Sequence, residues 1–448
     1  MKNPQVSVPE SELNHKRDIR AWTMYDWANS AFATTIMAAV FPIYYATLGA
    51  ATETGAIMTS RWGFTTAIAA LIAAVISPIL GAVADFSGSK KKFLTIFMLL
   101  GAISTALLFL PNQPGSWLIA SFIFIFANIG FAGSLVYYDA LLPHVARADE
   151  IDQVSSRGYM MGYIGGGVLL AVNLVMIMVL PSIFPALSTG LMTRLSFVTV
   201  AIWWFIFSLP LLKRVEEPTR KIEAGEENMR PIQASFSRLK KTFKDLKKYR
   251  DLSMGLLAFW VYANGIGTII TMATIYGKEL NFSDITLIGT LLMVQILAAP
   301  FAYMFGWLAK KIGTKKAIYL SLTIYSIIAI AGYFMYHEWQ FWVLGAGVAT
   351  VQGGSQALSR SMIGRMMPKS KSAEFYGFFS VFEKFASILG PAIFGIISRI
   401  MNESRLSIAS LIVFFLLGMY ILTKVDMERG QQNALKEEAQ MVAANSLQ

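Results

Sequence analysis

Long apolar runs separated by short polar segments repeat along the whole chain. About twelve of them approach the ~20 residues that ~30 Å of hydrocarbon requires. They run over 22–47, 61–84, 93–110, 117–141, 157–180 and 191–212, then over 251–275, 285–308, 317–335, 339–362, 374–398 and 405–423. Most do not alternate apolar with polar residues, so the pattern predicts spanning helices and not the strands of a barrel. Residues 1–20 are polar and charged. No cleavable signal peptide is expected, and the first helix should remain in the mature protein.

Basic residues fix the expected topology. Alternating sides place 32 of the 38 Lys and Arg on the side of both termini and only five on the other (Arg61, Arg194, Lys278, Arg399 and Arg405). That bias predicts cytoplasmic termini in a multi-pass membrane protein. A polar segment at 213–250 divides the chain. The expected organisation is an N-terminal tail (1–20), a six-helix bundle (21–212), a basic linker (213–250), a second bundle (251–424) and a C-terminal tail (425–448). In the linker, Phe236, Leu239, Phe243 and Leu246 recur at helical spacing among Lys and Arg. This predicts an amphipathic helix on the cytoplasmic membrane face.

Composition narrows the function classes. The chain is 55% hydrophobic and 15% charged, against about 25% charged in soluble domains. A soluble enzyme, a disordered protein and a nucleic-acid-binding module are excluded, and the net charge of +11 reflects cytoplasmic loops. The chain has no Cys, which removes disulfides, thiolate metal sites and thiol catalysis. No phosphate-binding G-x-x-x-x-G-K-[ST] loop is present, so direct ATP drive is excluded. No cofactor and no enzymatic activity are expected.

Two loops repeat a motif. Gly81-Ala-Val-Ala-Asp85-Phe-Ser-Gly88-Ser-Lys90-Lys91-Lys92 follows the second run, and Gly306-Trp-Leu-Ala-Lys310-Lys-Ile-Gly313-Thr-Lys315-Lys316 follows the eighth. The first glycine permits close helix approach, the second a tight turn, and the lysines suit the anionic cytoplasmic interface. Asp85 is placed to face a helix N-terminus or a basic partner. The pair of motifs and the six-plus-six layout resemble the major facilitator superfamily along the whole chain. The resemblance implies an all-α integral membrane fold of twelve transmembrane helices in two six-helix pseudo-symmetric bundles, with a central substrate site. Tyr25-Asp26-Trp27-Ala28-Asn29-Ser30, Ser155-Ser156-Arg157-Gly158 with Gly162 and Gly165, and Gly353-Gly354-Ser355-Gln356-Ala357-Leu358-Ser359-Arg360 narrow it further. They look like the branch that includes the autophagy-related vacuolar amino-acid effluxers and their bacterial relatives. Amino-acid efflux is what that resemblance implies.

Ionisable residues inside spans cost about 2.5–3.5 kcal/mol even on a lenient scale and point to function. Asp26, Asp139, Glu383 and Lys384 stand out. Glu383 lies about nine residues into its span, ~14 Å deep, and all three histidines lie outside the spans. A proton, if coupled, must then ride on a carboxylate, with Glu383 the first candidate and Asp26 the next. Helical phase adds Asn29, Ser30, Asn128, Asn264, Gln352 and Gln356 as substrate or coupling candidates. Asp26 and Asp139 are also candidates for a cytoplasmic gate with Arg157, Arg360 or Arg365; Gly81, Asp85, Gly88, Lys90 and Lys91 form the loop motif. Lys384 reads as a buried ammonium needing an anionic partner, from the solute or from a fixed acid. The Gly158, Gly162 and Gly165 stripe reads as close helix packing. The expected protein is a monomeric secondary transporter in a lipid bilayer, moving a small polar organic solute, with protons as candidate coupling ion. A lipid or lysolipid flippase and a non-transporting sensor are the alternatives.

Overall fold

The computed structural model describes residues 10–49, 55–219, 233, 236–238, 240, 248–401 and 404–446. Apolar segments in hydrocarbon must satisfy every backbone group internally, so they fold as helices. Among the described residues there is no strand. The chain enters through α1 (Glu10–Ala31), which continues as a π-helical turn (Phe32–Ala39) and bends by 41° into α2 (Phe41–Thr47). It proceeds through α3 (Gly55–Ser87), α4 (Lys90–Leu107), α5 (Trp117–Val145), α6 (Ile151–Met178), the short α7 (Leu180–Ile183) and α8 (Thr189–Arg214). After the linker come α9 (Arg250–Glu279), α10 (Asp284–Ile312), α11 (Thr314–Tyr333), α12 (Glu338–Met366) and α13 (Ser372–Met401). The last elements are α14 (Ser404–Ser410), α15 (Ile412–Thr423) and α16 (Met427–Ser446). Leu239, Phe243 and Leu246 of the expected linker helix lie outside the described residues.

Nine helices are long and apolar enough to cross a bilayer among the described residues, and the bent α1–α2 pair makes a tenth. The other two expected spans are α4 and α12, which are less apolar. The first opens on Lys90-Lys91-Lys92, and the second carries Gln352, Gln356 and Arg360. Large apolar side chains such as Phe64, Leu71, Val75, Ile296 and Val413 point outward, as a lipid-facing surface requires. Ser188 and Ser283 cap α8 and α10, each hydroxyl accepting a backbone N–H. Gly88 and Gly313 turn the chain at φ of 60° and 91°, values that favour glycine.

Both described ends of the chain lie on one face, here termed the terminal face. Arg147 meets Glu12 there and Arg214 meets Asp18. The segment after 425 is not a loose tail. Its helix α16 docks through Arg429 onto Asp251 and through Glu437 onto Lys371, Lys248 and Tyr249. Burial opposes ionisation of Glu437, but those cations and the Tyr249 hydroxyl outweigh it and hold the carboxyl below its usual range.

Candidate functional site

Helices from before the linker meet those from after it along two seams. In one, α3 lies against α13: a methyl at Gly81 would sit 2.1 Å from the Ala373 carbonyl oxygen, and Gly377 backs onto Pro78 and Ser77. In the other, α6 lies against α10, with Gly306 on Ser156. Small residues at these points let the backbones close up. Every hydrogen bond and ion pair joining the two sets among the described residues lies toward the terminal face. The outermost are Ser77 with Ser380, 3.5 Å, and Tyr163 with Gln356, 3.4 Å.

Arg360 is the centre of this seal. It sits on α12 with 2% of its surface exposed. Its Nη1 donates to Asp139 Oδ1 of α5 at 3.1 Å and to Asp26 Oδ2 of α1 at 3.3 Å. Nη2 also reaches Asp26 and donates to the Ser155 carbonyl at 2.8 Å, while Nε donates to the Ser155 hydroxyl at 2.9 Å. Rings of Tyr159, Trp22 and Tyr138 lie 4.4, 5.0 and 5.5 Å from the guanidinium, within cation–π range. Tyr138 donates to Asp26 Oδ2 at 2.7 Å, and Trp22 donates to the Tyr138 carbonyl at 3.0 Å. On the far side, Tyr376 of α13 donates to the Arg360 carbonyl at 2.9 Å. The planar fork of an arginine suits several acceptors at once. A buried charge persists only when paired in this way.

A second lock lies closer to the surface. Asp152, at the start of α6, accepts from Ser361, from Arg365 at 2.8 Å and from Thr314 at 2.7 Å. The loop motif forms a third: Asp85 pairs with Lys90 at 2.6 Å and accepts the Glu374 N–H in the first turn of α13 at 2.8 Å. It thus faces both a helix N-terminus and a basic partner. Gly88 supplies the turn, Lys90 is buried, and the Lys91 N–H donates to Glu217 at 3.0 Å.

Arg365 does not reach Asp139, because Asp152 holds it nearer the surface. Arg157 makes no ion pair among the described residues and is half-buried on α6. Lys384 is not a buried ammonium: it is half-buried, and Glu383 is exposed. The phase of α13 explains this. Tyr376 and Gly390 lie seven residues either side of Glu383, on the same face, and meet Arg360 and Asn264 respectively. An exposed carboxylate on a face turned toward its own bundle opens into a cleft. Glu383 therefore lies about two helical turns along α13 from Tyr376, which meets the Arg360 carbonyl. Lys384, ~100° round the helix, shares the face of Gly377 toward α3.

Of the other candidates, Gln352 and Gln356 both meet Tyr163 across the seam. Asn29 is buried with its Nδ2 unpartnered among the described residues, and Ser30 lies against Gly162. Asn264 donates to the Trp260 carbonyl at 2.6 Å, leaving its Oδ1 unpartnered. Asn128 stands apart from Arg360, with its Nδ2 4.0 Å from Met37 Sδ. Asp152, Tyr138, Ser155 and Tyr159 were not singled out from sequence. Ser155 lay within a quoted motif, and Tyr138 adjoins Asp139. Among the described residues no group of three His, Asp or Glu side chains is placed to hold a metal ion.

The glycine stripe of α6 packs on α1 at the plug itself. A methyl at Gly158 would fall 2.3 Å from Asp26 Oδ2. Gly158→Ala is expected to push Asp26 off Arg360 and cut transport by about tenfold or more, each ~1.4 kcal/mol being tenfold in population. Gly167→Ala, with nothing within 4 Å, should behave as wild type in the same uptake assay.

A family model described as "Vacuole effluxer Atg22 like" matches residues 53–435. The chain belongs to that family. Within reach of this Atg22-like chain, the Bacillus subtilis (strain 168) protein described as the uncharacterized MFS-type transporter YxiO is 38% identical over 422 residues, covering 93% of this chain and 97% of its own. Autophagy-related protein 22 of Coccidioides immitis is 24% identical over 446 residues, covering 83% and 73%. Among solved structures, the proton:xylose symporter XylE superposes with a TM-score of 0.73 at 14% identity, covering 92% of this chain and 96% of that one. FucP in the outward conformation gives 0.68 at 11% identity, covering 92% and 98%. The fold is that of the major facilitator superfamily, and the Atg22-like chain is a multi-pass membrane transporter, not an enzyme.

Proposed function

We propose that the protein exports a small polar organic solute, amino acids being the first class to test, across the bacterial plasma membrane. It works by alternating access between residues 21–212 and 251–424, as a monomer with both termini cytoplasmic. The observation that carries this reading is the plug at Arg360. It ties α12 to α1 and α5, while no hydrogen bond joins the two sets beyond Ser77 and Tyr163 among the described residues. Such bonds can exist only while the terminal face is shut, so they separate two states of the transporter. The description of the family as effluxers supports the direction, and the basic bias of the terminal side supports the orientation.

Coupling to protons follows from the same carboxylates. Glu383 is exposed on the face of α13 turned toward its own bundle, so a proton and a solute meet the same charge. Substrate and proton then compete, which is the linkage an antiporter needs. The test is a counterflow screen in proteoliposomes with amino acids, peptides, sugars and lysolipids. A polar solute should exchange, and Glu383→Gln should lose dependence on a pH gradient while sparing exchange. Exchange of lysolipids alone would make the protein a flippase. Full gradient-driven transport in Glu383→Gln would remove Glu383 from the coupling.

A further inference from the structure

Resting on the transporter reading above, we propose that the C-terminal helix α16 braces the gate, with Glu437 and Glu438 as positioning residues. Docked, they hold the turn between α12 and α13 in the shape that closes the terminal face. That turn, Lys369–Lys371, is gripped from two sides. On one side, Glu437 pairs with Lys371 at 3.0 Å and with Lys248 at 2.9 Å, and accepts the Tyr249 hydroxyl at 2.8 Å. Glu438 beside it accepts the Lys369 N–H. On the other side, His144 near the end of α5 lies 3.2 Å from the Lys369 carbonyl oxygen and 3.3 Å from the Ser372 hydroxyl. The residues that follow meet α3: the Ala373 carbonyl faces Gly81, and the Glu374 N–H donates to Asp85.

Burial gives the grip its weight. Lys371 and Glu437 are 4% and 5% exposed, and charges so far from water persist only when paired. Taking α16 away removes the carboxylate that faces the Lys371 ammonium, so the turn must move to bring that charge to water. The root of α16 is fixed as well. Lys315 of the second loop motif donates to the Val425 carbonyl at 2.7 Å, Arg429 bridges both oxygens of Asp251 at 2.6 and 2.7 Å, and Gly430 lies against Met366 at the end of α12. The other seam carries the same device, built from the other end of the chain. Residues 146–150 lead into α6, and α1 holds them: Glu12 accepts from Arg147 at 2.9 Å, and His15 meets Glu150. Each end of the chain thus grips the turn that enters a seam helix.

The consequence is a link between docking and closure. The turn conformation that α16 binds is the one that fits His144, Gly81 and Asp85. Whatever favours docking of α16 then favours the closed terminal face, and opening of that face weakens the docking in return.

The chain is free of Cys, so a single Cys reports on the gate. Ser156→Cys places it at a fully buried position against Gly306, on the α6–α10 seam and not on the turn that α16 holds. Faster labelling there reads opening of the whole face, not loosening of α16 alone. Maleimide labelling rates are measured on the purified full-length protein in liposomes. Glu437→Lys should raise the rate about tenfold, and adding Lys371→Glu should restore most of the protection by reversing the pair. Arg360→Gln in the same background is the control that opens the face directly. If the control labels fast while Glu437→Lys labels like its parent, the brace inference is overturned and the transporter reading stands. A double variant as open as the single overturns it too, since the opening would not run through this contact. If the control stays protected, the plug is not a gate, and both fall together.

Discussion

Arg360→Gln is expected to abolish net transport and leave the terminal face open. The substitution keeps a polar side chain of lesser length but removes the charge that Asp26 and Asp139 share. Breaking a buried pair from one side costs about 3–5 kcal/mol, because the remaining charges stay buried and unpaired. That penalty falls only on the sealed state, so it shifts the population by roughly a hundredfold or more. Arg360→Lys should be intermediate. A single ammonium cannot reach two carboxylates and both oxygens of Ser155 at once. Transport assays together with labelling at Ser156→Cys separate this outcome from misfolding, since a misfolded chain labels but binds no solute.

Two charge swaps should behave differently. Asp152 and Arg365 face each other at 2.8 Å near the surface, with only the hydroxyls of Ser361 and Thr314 beside them. Hydroxyls donate or accept equally well. Asp152→Arg with Arg365→Asp should therefore recover much of the transport, an order of magnitude or so, that either single reversal loses. The deeper pair should not recover. Asp139→Arg with Arg360→Asp would place the new carboxylate against Asp26 and the Ser155 carbonyl, a like-charge contact out of water. Rescue of the deep swap and failure of the shallow one would reverse the assigned roles of the two locks.

Much of this was legible because hydrocarbon leaves a chain few choices. Span positions, the Gly88 and Gly313 turns, and Asp85 on a helix N-terminus follow from local spacing. Asp26 and Asp139 could be marked as needing a cation because charges in apolar runs demand partners, but Arg157, Arg360 and Arg365 were equal candidates until packing brought Arg360 to both. Asp152 could not. It stands in a polar stretch next to Glu150 and reads as an ordinary surface acid until packing carries it into the seam. The exposure of Glu383 was hidden for the opposite reason. Depth along a helix is readable from sequence, but whether the facing helices have parted is not. The π-helical turn at Phe32–Ala39 has no sequence signal, since a shift in hydrogen-bond register leaves apolar composition unchanged.

The most direct measurement is a pair of distances in one protein. Spin labels at Lys92→Cys and Lys311→Cys report on the terminal face, and labels at Gln113→Cys and His337→Cys on the opposite face; all four sites are exposed. The account predicts that Arg360→Gln lengthens the first distance and shortens the second, because one plug governs which face is closed. Two distances that stay fixed, or that lengthen together, would contradict it.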